Sequence, residues 1–149
     1  LREALQERLG EATFADALHP LLLPAVNVTR SLTKVFKTPH ADASRGDERV
    51  RVADAVLAAC AAPAYFPSVE IDGALYADGG LFAVAPDQVA LHEAEHFMGI
   101  DMSRVRMLSI GTATVGYQPA EGIDADANTA PLHRELQGAG LRRSLVAIW

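Results

Sequence analysis

The sequence predicts a single α/β domain, and three observations lead to that fold class. Short apolar runs typical of strands alternate along the chain with amphipathic runs typical of helices. Half of the 149 residues are apolar and 21% are charged, a balance that suits a domain with a packed core. No apolar run is long enough to cross a bilayer, and no repeat or boundary divides the pattern.

The first part of the chain predicts a helix, a helical turn and two strands. Residues 1–9 carry leucines at helical spacing, and Gly10 follows them where a glycine often ends a helix. The strand segments are rich in aliphatic and β-branched residues or alternate apolar with polar ones. We expect the helical turn, the two strands and a polar surface loop at 14–18, 21–29, 34–38 and 40–48.

A second helix is predicted to begin at Arg49. Asp47 has a side chain suited to capping the free N–H groups of its first turn. Pro63 ends the helical run, because proline lacks the N–H that a helix interior needs. We expect one face of this helix to carry Val52, Val56 and Ala59.

A tight β-hairpin follows, with Asp72 and Gly73 at its turn. Asp-Gly between alternating apolar residues favours a two-residue hairpin turn. The second strand leads straight into Asp78, Gly79 and Gly80. The two glycines leave open space beside the carboxylate, and glycine lets a second backbone or a ligand approach closely. We therefore interpret Asp78 as a candidate catalytic residue.

The last part of the chain predicts a helix, an apolar strand, a mobile loop and a further helix. Pro86 opens the first of these helices, because the fixed φ of proline suits an initial helical position. The loop is inferred from a long run of small and polar residues. The four segments are expected at 86–98, 105–112, 113–130 and 131–149.

Charge and cysteine content narrow the possible functions. The formal net charge is −6, the sequence pI is about 5.3 and no basic cluster occurs, so we expect no nucleic-acid partner. Cys60 is the only cysteine, which excludes an internal disulfide. Because alanines surround it, we expect a small buried thiol there. No motif calls for a cofactor, and the compartment stays open.

Residues 92–96, HEAEH, match a zinc-peptidase pattern. In that pattern two histidines one helical turn apart bind zinc while the glutamate acts as a base. The longer form of the pattern needs a third histidine at position 102, which is Met102. The helical spacing also places His92 and His96 opposite the apolar stripe, on a polar face. A zinc peptidase remains an alternative, which metal analysis of the purified protein tests.

A series of motifs around Asp78 resembles the C-terminal half of the patatin-like phospholipase family. The order is A-x-x-A-A-P-x-x-F-P, a short hairpin, A-D-G-G-L and a helix that begins at proline. The resemblance continues into residues 109–112 and covers most of the chain up to about Thr114. The residues that carry it are Ala58, Ala61, Ala62, Pro63, Phe66, Pro67, Tyr76, Asp78, Gly79, Gly80, Leu81 and Pro86.

The resemblance implies an acyl hydrolase with a serine-aspartate dyad on a three-layer α/β/α domain. Asp78 maps onto the base of that dyad, while Gly79 and Gly80 shape the loop beside it. The family's serine lies in a G-x-S-x-G element, and no serine of this chain has glycines on both sides at that spacing. Residues 1–149 are then the C-terminal portion of an incomplete domain, with the nucleophile and a glycine-rich oxyanion loop expected upstream of Leu1.

The resemblance also sets expectations about partners and surroundings. It implies a lipid or acyl-ester substrate, peripheral membrane contact and, for an incomplete domain, self-association through an exposed core face. We expect Phe66, Tyr76 and Phe82 to bury Asp78, because burial makes a carboxylate a stronger base. Val84 and Ala85 stand where the family usually has two asparagines. That departure keeps open a non-catalytic module used for binding or scaffolding.

Overall fold

A computed structural model describes residues 1–41 and 46–111, together with the backbone of 145–148. They belong to two compact units, Leu1–Met102 and Ser103–Trp149. Both strands and helices are present, so the α/β class predicted from the sequence is confirmed as a mixed α/β fold. The loop expected to be mobile at 113–130 lies outside the described residues.

Four strands form the main sheet of the first unit, and every neighbouring pair is antiparallel. The order across the sheet is β2-β1-β4-β3, so the second strand of the hairpin lies beside β1 rather than at an edge. In this register Ala25 of β1 lies opposite Asp78, the last residue of β4. The strands are β1 Leu22–Asn27, β2 Leu32–Lys37, β3 Val69–Ile71 and β4 Ala74–Asp78.

Among the described residues, three α-helices accompany the sheet. The predicted N-terminal helix is confirmed as α1, and Gly10 follows it with a φ of +55°. The predicted helix after Pro86 is also present, but Pro86 is its N-cap rather than its first helical residue. The helices are α1 Arg2–Leu9, α2 Val52–Ala59 and α3 Asp87–His92, which continues into a π-helical turn at Glu93–Phe97. Short 3₁₀ turns lie at Phe14–Asp16, Gly79–Leu81 and Met102–Arg104.

Helix α2 packs on the sheet mainly through alanines, and Val52 of the predicted face also packs against the core. Ala53, Ala55 and Ala58 are buried, whereas Val52 and Val56 are only half-buried. The sheet already carries Phe36 and Tyr76 in the core, and small side chains let the helix approach these rings closely.

Asp47 does not cap α2, so that part of the prediction is wrong. The N-cap is Arg51, and no side chain bonds the first turn. Asp47 is buried instead and accepts hydrogen bonds from Lys34 Nζ at 2.6 Å and from the Lys37 N–H at 3.2 Å. A charged donor competes for the carboxylate more strongly than a helix terminus does.

Three aromatic rings form the centre of the core. Phe14 and Phe36 are almost completely buried, with ring centroids 6.4 Å apart. Tyr76 of β4 approaches Phe36 at 5.0 Å with tilted rings. Such offset contacts add to the free energy gained by burial. The core therefore fixes β4 just before its last residue.

The predicted hairpin is confirmed. Strands β3 and β4 pair with Ile71 opposite Ala74, so the turn consists of Asp72 and Gly73 alone. Both residues have positive φ, +51° and +73°, as a type I′ turn requires. The turn fixes the register that brings Asp78 to the end of its strand.

The second unit contains β5, Met107–Ile110, and β6, Leu145–Ile148, which pair in parallel. The predicted strand at 105–112 is confirmed by β5. The helix predicted over 131–149 is wrong at 145–148, because a parallel partner strand satisfies the backbone groups of this short apolar run. The rest of that predicted helix lies outside the described residues. Among the parts of the chain that the structure describes, no helix meets the length and apolarity of a membrane span.

Candidate active site

Asp78 lies where β4 ends, and the backbone holds it on two sides. Asp78 pairs with Ala25 of β1, and the Asp78 N–H donates to the Ala61 carbonyl oxygen at 3.0 Å. Ala61 follows the C-terminus of α2, so the strand and the helix both fix this position. The side chain is half-buried, at a place where a second group can reach it.

One oxygen of the Asp78 carboxylate is fixed and the other is available. Oδ1 accepts the Gly80 N–H at 2.6 Å and so caps the 3₁₀ turn Gly79–Leu81. Oδ2 accepts no hydrogen bond from the residues that the structure describes. A short bond to a backbone N–H orients the carboxylate without neutralising it. The arrangement suits a base that receives a proton on Oδ2.

Gly79 lies where the backbone leaves no room for a side chain. A Cβ at this position would collide with the Pro24 carbonyl group and would lie 2.7 Å from the Pro24 Cβ. Gly80 is exposed, and a Cβ there would lie 3.0 Å from Asp78 Oδ1. The D-G-G run therefore consists of a fixed carboxylate, an obligatory glycine against β1 and an N–H donor.

The expected apolar cover over Asp78 is only partly present. Tyr76 is 9% exposed and belongs to the core, but Phe66 is 58% exposed and Phe82 is 41% exposed. Asp78 itself is half-buried, so the cover over this residue is incomplete. The loop that carries Phe66 includes Ala64 at a φ of +71°, a strained conformation for a residue other than glycine.

Cys60 is exposed, so the buried thiol expected from its alanine neighbours is wrong. Alanines leave too little side chain to cover the residue that ends α2. The thiol is nevertheless partly covered, and this burial, followed by the negative charge of Asp78, raises the pKa of Cys60 above its usual range. A thiol with a raised pKa stays protonated at neutral pH and is a poor nucleophile.

Within the HEAEH segment, Glu93 points away from His92 and His96 and binds residues of another element. His92 and His96 lie exposed with their rings stacked at 4.3 Å, as the predicted polar face requires. Glu93 is 4% exposed and accepts Lys37 Nζ at 2.9 and 3.0 Å. His40 Nε2 lies 3.0 Å from the same carboxylate. Glu93 therefore connects the π-helical turn to β2, and it is not positioned as the base of a metal site on the histidine face.

Several residues around the site could not be found by reading motifs. Pro24 and Ala61 contact the D-G-G run from distant positions in the sequence, and Lys37 and His40 reach Glu93 over 56 and 53 residues. The only local signal was the burial expected of β1. Their roles depend on the order of strands in the sheet.

Comparison with known proteins decides the family. A sequence model of the family described as patatin-like phospholipase matches residues 1–91, which include β1 to β4 and the whole D-G-G run. The chain belongs to the patatin-like phospholipase family. The HEAEH segment of this family member lies outside the matched residues.

Curated relatives carry a more specific description. A protein of Pseudomonas aeruginosa named cGAMP-activated phospholipase is 41% identical over 127 residues, covering 85% of this chain and 38% of the relative. A protein of the same name from Vibrio cholerae is 39% identical over 121 residues, covering 75% of this chain and 34% of the relative. One from Escherichia coli is 37% identical over 124 residues, covering 78% and 35%. This patatin-like chain thus spans little more than a third of the length of these relatives.

Proposed function

We propose that the protein is a lipid acyl hydrolase that works with a serine-aspartate dyad. Asp78 is the base, and the nucleophile is the serine of a G-x-S-x-G element outside these 149 residues. The chain then forms the C-terminal portion of a three-layer α/β/α domain. The observation that supports this proposal best is the carboxylate of Asp78, which is oriented by the Gly80 N–H while Oδ2 stays available.

The chemistry needs one proton acceptor in a fixed place. Asp78 Oδ2 takes the proton from the serine hydroxyl as the serine oxygen attacks the ester carbonyl carbon. The carboxylic acid then returns the proton to the leaving alcohol, which gives an acyl-enzyme. Water hydrolyses the acyl-enzyme, with Asp78 again accepting a proton. A carboxylate held by a backbone N–H performs both transfers without reorienting.

The substitution Asp78→Asn tests this role in the full-length protein. An amide cannot accept the serine proton, so we expect the kcat for fatty-acid release from phospholipid vesicles to fall about 10²- to 10⁴-fold. The fold should persist, because an amide oxygen still accepts the Gly80 N–H. Glu70→Gln, at an exposed position of β3, is the matched control and should retain activity. Wild-type turnover in a folded Asp78→Asn protein would contradict the proposal.

We also propose that cGAMP stimulates this hydrolysis, since each of the three relatives is named as a cGAMP-activated phospholipase. Activation by a ligand requires that the ligand bind the active state more tightly than the inactive one. Fatty-acid release by the full-length protein should therefore rise when cGAMP is added and should not respond to AMP. Equal rates with and without cGAMP would contradict this regulation. A folded protein that hydrolyses no ester under either condition would instead indicate a non-catalytic module.

A further inference from the structure

Two histidines of the HEAEH segment form a stacked pair on the surface of the π-helical turn. The Met98 N–H donates to the Glu93 carbonyl oxygen, five residues before it, at 3.1 Å, as a π-helix requires. Side chains four residues apart face the same way along a helix. The rings of His92 and His96 accordingly stack with centroids 4.3 Å apart and an angle of 28° between their planes. The fold therefore presents two imidazoles side by side to solvent.

The ring nitrogens of this pair are available to a ligand, in contrast to those of the buried His40. The Nδ1 atom of His40 lies 2.7 Å from a threonine hydroxyl, and its Nε2 atom lies 3.0 Å from Glu93 Oε1. Within the described part of the chain, neither the His92 ring nor the His96 ring makes a hydrogen bond. The one ion pair of these rings, among the same residues, joins His96 Nδ1 to Glu95 at 3.6 Å. Both histidines thus keep lone pairs that can bind a cation.

The spacing of the rings suits a divalent transition metal. Zinc–nitrogen bonds are about 2.0–2.1 Å long, so two nitrogens on one ion lie roughly 3–3.4 Å apart. Rings whose centroids are 4.3 Å apart reach this spacing by rotation about χ2, which is a soft torsion in histidine. Neutral imidazole suits Zn²⁺, Ni²⁺ and Cu²⁺, whereas Mg²⁺ and Ca²⁺ prefer oxygen ligands. The chemistry of the pair therefore selects ions of the first group.

We propose that His92 and His96 form a surface site for a divalent transition metal such as Zn²⁺ or Ni²⁺, with water completing the coordination. In the part of the chain that the structure describes, no three metal-ligating side chains are grouped closely enough to hold an ion. The site therefore has two protein ligands and binds more weakly than a structural zinc site with four.

This metal site is not a peptidase centre. The carboxylate of Glu93 binds Lys37 on the other side of the turn, so no general base faces the histidine pair. An ion on His92 and His96 links the end of α3 to the π-helical turn from the solvent side, while Glu93 links the same turn to β2. Bound zinc would accordingly show a stabilising site and not, by itself, proteolysis.

Titration of the untagged full-length protein with Zn²⁺, Ni²⁺ and Mg²⁺ tests the site. Every protein in the comparison carries Cys60→Ser, because an exposed thiol is itself a zinc ligand. His92→Gln and His96→Gln each remove one ligand, and His19→Gln is the matched control at an exposed position outside the HEAEH segment. We expect each ligand variant to bind Zn²⁺ and Ni²⁺ at this site about tenfold more weakly or worse. His19→Gln should bind them like the parent protein, and Mg²⁺ should not compete.

Amide hydrogen exchange locates the bound ion. Zn²⁺ should slow exchange in residues 92–98 of the parent protein and of His19→Gln, and it should leave this segment unchanged in the two ligand variants. Equal zinc affinity in the parent and in both ligand variants overturns the proposal, as does unchanged exchange in residues 92–98 of the parent. Weaker binding in only one ligand variant also overturns it, because a shared ion needs both rings. Zinc-dependent cleavage of casein that His92→Gln abolishes would overturn the non-catalytic assignment.

Discussion

At the scale of single residues, the two glycines of the D-G-G run have different structural roles. Gly79 is buried against Pro24, and Gly80 is exposed and donates its N–H to Asp78. The sequence motif alone does not distinguish the two glycine positions. The structure predicts that they tolerate a methyl group very differently.

Gly79→Ala should destabilise the fold by about 1–3 kcal/mol or more, because the new Cβ forces Pro24 and the end of β4 apart. Gly80→Ala is the matched control, and its Cβ meets only the far end of the Asp78 side chain. Its free energy of unfolding should change by less than about 1 kcal/mol. Urea denaturation of both variants measures the difference. Equal losses of stability at the two glycines would contradict the packing described for Gly79.

Asp78, Gly79 and Gly80 could be predicted from the sequence because they are adjacent and follow a clear hairpin signal. Their partners could not, since Pro24 lies on another strand and contacts Gly79 only through the β1–β4 pairing. Cys60 was misjudged for a related reason. Its neighbours in sequence are apolar, but exposure depends on what packs over the end of α2. The catalytic role of Asp78 stays a prediction.

At the scale of elements, a buried ion-pair cluster connects the helix after the D-G-G run to the sheet. Glu93 lies at the start of the π-helical turn, and Lys37 and His40 come from β2 and the residues after it. Lys37 also lies over the Phe97 ring at 4.5 Å. The two ends of the segment 78–93 are therefore both anchored, one by strand pairing and the other by charge.

Glu93→Gln should lower the free energy of unfolding by about 3–5 kcal/mol, because it leaves the partly buried ammonium group of Lys37 without the counter-charge of Glu93. Glu95→Gln is the control within the same HEAEH segment. Glu95 is half-exposed and lies 3.6 Å from His96, so the change should stay within about 0.5 kcal/mol. Chemical denaturation at neutral pH provides both values. A stable Glu93→Gln protein would show that the cluster does not hold this helix.

Element types were predictable where the local signal was strong, and element faces were not. Asp72 and Gly73 identified the hairpin because its two-residue turn needs positive φ at both positions, and Asp-Gly is one of the few pairs that adopt it readily. The spacing predicted a shared face on α2, but not that three alanines beside two aromatic rings would be its most buried residues. The helix predicted at 145–148 was wrong because a short apolar run becomes a strand when a partner strand is available.

At the scale of the whole molecule, the α/β class could be predicted but the order of strands could not. The class follows from the alternation of strand and helix patterns along the chain. The order β2-β1-β4-β3 places the hairpin strand β4 between β1 and β3, and no local pattern specifies that β1 pairs with a strand 50 residues later. The residues that surround Asp78 and Gly79 depend on this pairing, so the geometry of the site could not be predicted without the order of the strands.

The distribution of apolar surface predicts how the isolated 149-residue polypeptide behaves. Large apolar side chains are exposed on the two loops next to the D-G-G run in the structure, residues 60–68 and 82–86, among them Tyr65 at 83% and Val84 at 70%. A groove on the main sheet, lined by residues that include Val26, Leu32 and Ala77, adds a second apolar surface. Exposed apolar surface favours association in water. We therefore expect this polypeptide to form dimers or larger species.

Sedimentation velocity over a range of concentrations measures that association. The average sedimentation coefficient should rise with concentration, and a combined Tyr65→Ser and Val84→Ser variant should shift the equilibrium towards monomer. Leu18→Ser, at an exposed position away from both loops, is the control and should associate like the wild type. The net charge of −6 opposes association, so the effect should strengthen with added salt. A monomer at every concentration would show that these loops are too mobile or too dispersed to act as one surface.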